Sequence, residues 1–206
     1  NGWISLNPPL SAHRVGSYST RTTHPYFLAG LKEILDAAGI AAPLINPYQF
    51  LTKGEMLSQS PQTSLLRSLL PHTLSCAHPV ASRWRKDRPG NCGYCFPCLR
   101  RRAARHAAGW DDGREYLWDA LTQPEVLASR ARGADLRSLL FLVDQWRGRP
   151  RPQELLWQSG PIPGGAETAT ALADLVGRGI MELDRWLQDK GAAFLWDYAG
   201  LREYCR

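Results

Sequence analysis

The sequence contains no apolar run that approaches the roughly 18 residues needed to cross a bilayer. The longest candidate, residues 136–146, is too short and carries Arg137 and Asp144. No secretory signal opens the chain, and no repeat or low-complexity tract interrupts it. Hydrophobic residues make up 44% of the composition, which excludes disorder as the overall state. These absences predict a globular cytoplasmic protein with no membrane partner, whose 206 residues suffice for one sizeable domain or two small ones.

Cysteine is also scarce, because the chain has only five, too few for a disulfide framework. Four of them nevertheless share one segment, as Cys76 and the C-x₂-C-x₂-C run of Cys92, Cys95 and Cys98, whereas Cys205 stands apart. Two sulfurs at C-x₂-C spacing can reach one ion from a tight turn, and four thiolates saturate a tetrahedral Zn²⁺. The spacing therefore predicts a closed, structural zinc site.

Two alternatives to this zinc site stay open at the level of the sequence. The C-x₂-C-x₂-C run also occurs in ferredoxins, where it holds an iron–sulfur cluster. His72, His78 and His106 lie near enough in the sequence to replace Cys76 as the fourth ligand. Because a lone histidine is more often a surface or hydrogen-bonded residue, we predict Cys76 as the ligand.

Acidic residues are fewer than basic ones, 19 against 25, which gives a net charge of +6. The excess is concentrated in residues 83–105, where eight lysine and arginine residues accompany Asp87 as the single acidic residue. Such a local cluster favours a polyanionic partner or a phosphate-bearing substrate. It is equally compatible with a solvated rim around the metal site.

Apolar spacing predicts helices through much of the chain. The first clear one starts at Pro25, with Thr23 as its N-cap, and ends at Gly39. A short strand or extended segment is expected over residues 42–47. We expect the prolines and glycines of residues 150–165 to interrupt the helical pattern. Further predicted helices cover residues 62–70, 99–108, 114–121, 124–132, 136–146 and 168–188.

Five segments resemble one family of enzymes. Residues 73–76 (TLSC) and 92–102 (CGYCFPCLRRR) are similar to the C-terminal zinc signature of QueC-type proteins, the 7-cyano-7-deazaguanine synthases and their paralogues. Residues 51–55 (LTKGE) resemble the family's Thr-Lys-x-Glu segment. Residues 1–10 and 17–25 look closest to the QueC-like branch of Qat anti-phage defence cassettes, the QatC branch.

The resemblance implies an α/β fold of the PP-loop, or adenine nucleotide α-hydrolase-like, type. In the synthases, ATP activates the carboxylate of 7-carboxy-7-deazaguanine as an adenylate, ammonia attacks it, and the resulting amide is dehydrated to a nitrile. The resemblance thus implies an ATP-dependent ligase with a structural zinc and a nucleotide or deazaguanine-type substrate. The defence paralogues are expected to use related activation chemistry on a different acceptor.

The chain departs from the family at the ATP site. The family binds the ATP phosphates with an S-G-G-x-D-S loop near its N-terminus, and the sequence contains no such loop. The nearest strings, in residues 159–165, include two prolines that would interrupt a cradle of backbone N–H groups. We therefore expect the loop to belong to a missing N-terminal part, ATP to bind only with that part, and this chain alone to be inactive.

The resemblance also suggests substrate-side residues. Arg21 and the hydroxyls of Thr22 and Thr23 occupy the place of the family's substrate-side polar residues, although Ser-Thr-Arg-Thr-Thr replaces the usual Pro-Asp-x-Arg pattern. Lys53 could neutralise a phosphate, and Glu55 could orient it. The local alternatives are an N-cap at Thr23 and an ordinary solvated pair of Lys53 and Glu55. No catalytic residue is assigned.

The chain is interpreted as two domains with an enzymatic function and two non-enzymatic alternatives. Residues 1–109 are expected to be the C-terminal part of a QueC-like domain with the zinc site, and residues 110–206 a mostly α-helical extension. A zinc-stapled basic module could instead bind nucleic acid, because phosphate contacts dominate the affinity of such modules. The helical extension could also dock a partner protein, with the zinc ion as a staple.

Overall fold

The computed structural model describes residues 2–9, 22–81, 90–111, 113 and 115–199, and their regular structure is almost entirely helical. In chain order the α-helices are α1 (Gly2–Leu6), α2 (Pro25–Ala37), α3 (Lys53–Ser58), α4 (Thr63–Leu69), α5 (Phe96–Ala107), α6 (Pro124–Ala128), α7 (Ala134–Gly148), α8 (Pro152–Gln158), α9 (Gly165–Lys190) and α10 (Ala193–Ala199). Among these helices, none combines the length and the apolar character of a membrane span.

The expected α/β fold is not supported. The described residues form no β-strand and contribute one isolated parallel bridge, between Asn91 and Tyr116. Residues 42–47, predicted as a short strand or an extended segment, form no strand and lead into a turn. Pro43 and Pro47 lack the N–H groups that a β-ladder needs, which explains why this segment does not pair as a strand. The PP-loop fold was implied by the family resemblance alone, whereas the helical predictions came from residue patterns.

Capping explains where α2 begins. The helix starts at Pro25, as predicted, but its N-cap is His24 rather than Thr23. His24 Nδ1 accepts a hydrogen bond from the backbone N–H of Tyr26 at 3.2 Å, so the imidazole takes the part expected of the threonine hydroxyl. The helix predicted over residues 62–70 is likewise confirmed as α4.

The extension is mostly helical, as predicted, but its helices differ in detail from the sequence-based expectation. The helix predicted over residues 114–121 is wrong, because the described residues there form turns and the bridge at Tyr116. Helix α8 was not predicted, since proline was expected to interrupt this region. Pro152 instead occupies the first turn of α8, where its missing N–H has no intrahelical partner to lose.

Helix α9 is the central element of the hydrophobic core. It packs against α5 and α8 and also contacts α1 and α7. Trp186 is fully buried, and Trp3 packs on Gly179, where a side chain on α9 would overlap the indole ring. One core cluster includes residues from both sides of the expected domain boundary, such as Leu99 and Leu140. The division into two domains stays a prediction, but α5 packs directly on the extension.

Candidate functional site

Four cysteines from separate parts of the chain converge on one point. Cys76 lies in the loop after a 3₁₀ turn at Leu70–His72, Cys92 and Cys95 lie in the turn before α5, and Cys98 lies in the first turn of α5. Their sulfur atoms all lie within 4.8 Å of one another. The Sγ–Sγ distances are 3.8 Å for Cys76–Cys95 and 3.9 Å for Cys92–Cys98. A tetrahedron with metal–sulfur bonds of about 2.3 Å has edges of about 3.8 Å. The four cysteines are therefore close enough together to bind one metal ion.

The tight turn between Cys92 and Cys95 depends on Gly93. Its φ of +88° lies in the left-handed region, and an added Cβ would overlap the backbone carbonyl oxygen of Trp118. After this turn, Pro97 lies in the first turn of α5, where its nitrogen needs no intrahelical acceptor. The backbone thus reverses sharply and then enters a helix, which turns three sulfurs toward the same point.

Backbone N–H groups donate to the cysteine sulfurs. The N–H groups of Cys92 and His78 donate to Sγ of Cys76 at 3.3 and 3.2 Å. The Ala77 N–H donates to Sγ of Cys95 at 3.4 Å, and the Cys95 N–H donates to Sγ of Cys92, also at 3.4 Å. Hydrogen bonds to the charged form of an acid favour that form, so this backbone stabilises thiolates.

Three of the four sulfur atoms are buried, and the hydrogen bonds among these three thiols shift their pKa values. Cys92, Cys95 and Cys98 are buried, while Cys76 is partly exposed. Hydrogen bonds with Cys92 and then Cys98 lower the pKa of Cys95. Hydrogen bonds with Cys92 and then Cys95, together with burial, raise the pKa of Cys98. The thiols therefore share negative charge unequally, and a divalent cation at their centre would favour four thiolates.

Cys76, rather than a nearby histidine, completes this cluster. His78 stacks on Tyr94 with 5.6 Å between ring centroids. His106 Nε2 lies 3.2 Å from a carboxylate oxygen of Asp189. Cys205 lies outside the described residues. The four cysteines brought together are those that the spacing predicted.

The arginines that follow the cysteine run are buried, so the alternative of a solvated rim does not hold for them. Those buried are Arg100, Arg101, Arg102 and Arg105. Arg102 pairs with Asp119 at 2.6 Å and with Asp111 at 3.3 Å, and Arg105 pairs with Glu115 at 2.5 Å. These ion pairs attach α5 to the segment that follows it. The basic residues at 83–88 lie outside the described part of the chain.

Lys53 and Arg100 form a different kind of basic group beside the metal centre. Lys53 begins α3, which packs against α5. Burial, together with the positive charges of Arg101 and Arg100, lowers the pKa of Lys53 to about 8. Burial also lowers the pKa of Arg100 to about 9, against the opposing influence of Glu182. The helix pair therefore holds positive charge in a poorly solvated position.

Glu55 has structural partners in this arrangement. Its carboxylate accepts a hydrogen bond from the Thr52 backbone N–H at 2.8 Å, and the Thr52 hydroxyl accepts one from the Glu55 N–H, which together form a capping box. The same carboxylate pairs with Nε of Arg178 at 2.7 Å. Glu55 therefore has partners for its carboxylate, whereas the Lys53 side chain pairs with no carboxylate among the described residues.

The other predicted substrate-side residues lie apart from this group in their contacts. Thr22 and Thr23 are exposed, and the Thr23 hydroxyl lies 2.9 Å from the hydroxyl of Ser5. Arg21 lies outside the described residues. The contacts of Thr23 therefore join the segment before α2 to α1 and do not involve Lys53.

Sequence reasoning missed the acidic residues that surround the basic group. Glu182 of α9 accepts hydrogen bonds from the Thr52 hydroxyl and from the Gly54 N–H, the latter at 3.4 Å. Burial raises the pKa of Glu182, although both hydrogen bonds oppose that shift. Asp111, Glu115 and Asp119, which pair with Arg102 and Arg105, lie four positions apart after the arginine run, which is a usable sequence signal. No local pattern in the sequence indicates the role of Glu182, because this residue lies far along the chain from its partners Thr52 and Gly54.

Comparisons with known proteins give no match from which the site could be interpreted, so its interpretation depends on its geometry. No protein-family model, no curated protein and no solved structure matches the chain. The geometry consists of four convergent thiols at metal-binding distance and a basic group on α3 and α5, the second of which carries Cys98. Four sulfur ligands around one ion leave no position for water or substrate, so this centre suits a structural metal.

Proposed function

We propose that the four cysteines hold a structural Zn²⁺ and that the chain is the metal-bearing part of a QueC-like ATP-dependent ligase. The four cysteine sulfurs lie close enough together to hold one ion, which supports the zinc half of the proposal. The packing of α3 on α5 makes the LTKGE segment and the cysteine run, two of the segments that carry the resemblance, neighbours in space, which supports the enzyme half. The ion then holds the Cys76 loop against the start of α5.

The donor set favours zinc over the iron–sulfur alternative. The sulfur–sulfur distances of 3.8 and 3.9 Å match the edge of a tetrahedron around a single ion. A cluster of several irons would hold its cysteine ligands farther apart. Four thiolates also suit zinc better than the hard cations, which prefer oxygen ligands.

The proposed activity is activation of a carboxylate by ATP. The carboxylate oxygen attacks the α-phosphorus, pyrophosphate leaves, and a nitrogen nucleophile then displaces AMP from the acyl carbon. A deazaguanine-type acid, or a related acceptor in a defence paralogue, is the proposed substrate. Lys53 is the residue that we assign to an anionic group of the bound substrates.

Metal analysis by plasma mass spectrometry tests the zinc half of the proposal. The purified chain is expected to hold one zinc ion, and Cys95→Ser is expected to hold none and to lose its folded structure. Cys205→Ser removes a cysteine outside the proposed ligand set, so it should retain both zinc and fold. Iron in place of zinc, or a well-folded wild type without metal, would contradict the proposal.

Equilibrium dialysis with 7-carboxy-7-deazaguanine tests the enzyme half. Saturable binding is expected, weakened by Lys53→Met and unchanged by Lys32→Met. Lys32 is a suitable control because it is an exposed lysine that already pairs with Asp36 at 2.6 Å. A zinc-loaded wild type that shows no saturable binding would rule out a deazaguanine-type substrate for this chain.

The surface of α2 favours a second candidate function, binding of a partner protein. Pro25 is the one buried residue of α2, whereas Phe27 and Ile34 are exposed, as is Ile45 in the following loop. Clusters of exposed apolar residues commonly mark protein interfaces. The nucleic-acid alternative has weaker support, because the described arginines of α5 are buried.

Sedimentation equilibrium tests self-association, the simplest form of this second function. A concentration-dependent dimer is expected for the wild type, and Ile34→Lys should abolish it by placing a charge on the exposed apolar face. The control Met181→Lys changes an exposed apolar residue on α9 and should leave the dimer intact. A wild type that stays monomeric at all concentrations would contradict self-association through α2.

A further inference from the structure

Aromatic rings lie against the guanidinium of Arg100, but two of its nitrogen atoms make no hydrogen bond within the described part of the chain. Arg100 is 7% exposed. Its guanidinium carbon lies 4.1 Å from the centroid of the Trp3 ring and 5.0 Å from that of Phe96. Aromatic rings contact the faces of a guanidinium, and they leave its in-plane N–H groups without acceptors. Within the described part of the chain, Nε and Nη2 of Arg100 are buried and have no hydrogen-bond partner.

Buried N–H groups without acceptors are rare and costly, and this pair has a specific geometry. An unsatisfied buried donor costs about 1–3 kcal/mol, and more when it is charged. Nε–H and one Nη2–H point the same way from one edge of the guanidinium plane. That edge is the fork with which arginine binds two oxygens of a carboxylate or phosphate at once. Arg100 thus presents an intact anion-binding edge.

Other positively charged residues lie on the same pair of packed helices. Lys53 begins α3, which packs against α5, the helix that carries Arg100 and Arg101. The carboxylate of Glu182 is the nearby negative charge, and it is already engaged by Thr52 and Gly54. Lys53 is only partly buried, so the group extends toward the protein surface.

We propose that Arg100 and Lys53 form a binding site for a phosphate group, with Nε and Nη2 of Arg100 donating to two phosphate oxygens and Lys53 supplying the second cation. Phosphate fits better than a carboxylate, because a phosphate monoester carries about −1.5 to −2 charges at neutral pH and matches two cations. This inference deepens the proposed function by assigning a phosphate-bearing substrate or product group to the Lys53 side of the metal helix.

Isothermal titration calorimetry with inorganic phosphate, at constant ionic strength and on zinc-loaded protein, tests this site. The wild type is expected to bind phosphate saturably. Arg100→Lys keeps the charge but loses the two-donor edge, and Lys53→Met loses the second cation. Each substitution should weaken binding about tenfold or more. Arg151→Lys and Lys32→Met change exposed residues that already pair with carboxylates, so both should bind like the wild type.

The outcomes separate this inference from the proposed function. Wild type that does not bind phosphate, or Lys53→Met that binds it equally well, would overturn the site. Acetate that binds more tightly than phosphate would overturn the assignment of a phosphate group. If Arg100→Lys fails to fold by circular dichroism, Lys53→Met decides alone, because its position is partly exposed. Zinc content and the saturable binding of the deazaguanine by the wild type do not depend on the phosphate titration, so either proposal can fail without the other.

Discussion

The backbone N–H of Phe96 donates a hydrogen bond of 2.7 Å to the carboxylate of Asp135. Phe96 is the first residue of α5 and follows the ligand Cys95, whereas Asp135 lies in the first turn of α7. The first N–H groups of a helix have no acceptor within the helix, and its N-terminus favours negative charge. Asp135, which belongs to the helical extension, therefore caps α5. Cys95, the residue at the N-cap position of α5, makes no side-chain cap hydrogen bond of its own.

Replacement of Asp135 tests how much this cap contributes. Asp135→Ala is expected to lower the free energy of unfolding by about 1–2 kcal/mol, as for the loss of other helix caps. Urea denaturation of the zinc-loaded protein measures the change. Asp36→Ala breaks an exposed i,i+4 pair with Lys32 and should cost less than about 0.5 kcal/mol. Equal losses in the two variants would show that the Asp135 cap contributes nothing beyond a surface charge.

The turn at Gly93 gives a second prediction. Gly93→Ala must adopt a φ of +88° and also displace the carbonyl of Trp118, so we expect a loss of about 3 kcal/mol or more in unfolding free energy. Gly109 also has a positive φ, +73°, but an added Cβ there meets no atom within 4 Å.

The pair of variants separates backbone strain from steric overlap. Gly109→Ala is expected to cost about 1 kcal/mol, which reflects the left-handed backbone alone. Gly93→Ala should in addition weaken zinc affinity, measured by competition with a chromophoric chelator, because it displaces the sulfurs on either side. A Gly93→Ala protein with wild-type zinc affinity would contradict the role given to this turn.

The four-cysteine cluster could be predicted from the sequence because its information is local. C-x₂-C spacing limits where two sulfurs can point, and Cys76 was the remaining cysteine within the segment. Helix α2 and much of α9 could be predicted for the same reason, since an apolar period of 3.6 residues is a local property. Capping at His24 was missed because threonine is the commoner N-cap.

The environment of the arginines could not be predicted from local pattern. A run such as that at 100–102 resembles a solvated basic surface, and its burial depends on acidic partners supplied from elsewhere in the chain. Glu182 reaches Thr52 across the packing of α9 on the N-terminal half. The expected α/β fold failed differently, because it was transferred from a resemblance in short motifs, and such motifs do not specify the architecture around them.

Asp119 gives a prediction about acid stability. Burial acts to raise its pKa, but the hydrogen bond and positive charge of Arg102 outweigh burial, so the pKa of Asp119 lies below its ordinary value of 3.8. The carboxylate therefore stabilises the folded state above pH 3.8, and this contribution is lost as the pH falls through the folded-state pKa.

Asp119→Asn should accordingly be less stable than the wild type at neutral pH, by about 2 kcal/mol. The difference should shrink as the pH falls below 3.8, because the wild-type carboxyl then becomes neutral as well. Urea denaturation at a series of pH values measures it, with Asp36→Asn as the exposed control. A destabilisation that stays constant down to the lowest pH would assign the loss to packing rather than to the charge of Asp119.

Removal of the metal gives the largest expected effect. A structural zinc contributes an apparent binding free energy of about 10–16 kcal/mol in small zinc-binding peptides, which is comparable to the whole stability of an ordinary domain, about 5–15 kcal/mol. A strong chelator is therefore expected to unfold the region from the Cys76 loop through α5. In the variant Cys205→Ser, the only thiols are the four cysteines of the cluster. Their reaction with a thiol reagent should be slow when zinc is bound and fast after chelation.

The extent of unfolding after chelation then shows whether the metal stabilises only the cysteine loops or the whole hydrophobic core. Leu99 and Ala103 of α5 are buried in the same cluster as α9, so loss of the metal should lower the melting temperature of the whole chain in a single transition. Circular dichroism before and after chelation measures this, and addition of Zn²⁺ should restore it. An unchanged melting temperature combined with rapid thiol reaction would mean that the cysteine loops open while α5 stays packed on α9, and that packing rather than the metal holds this helix in place.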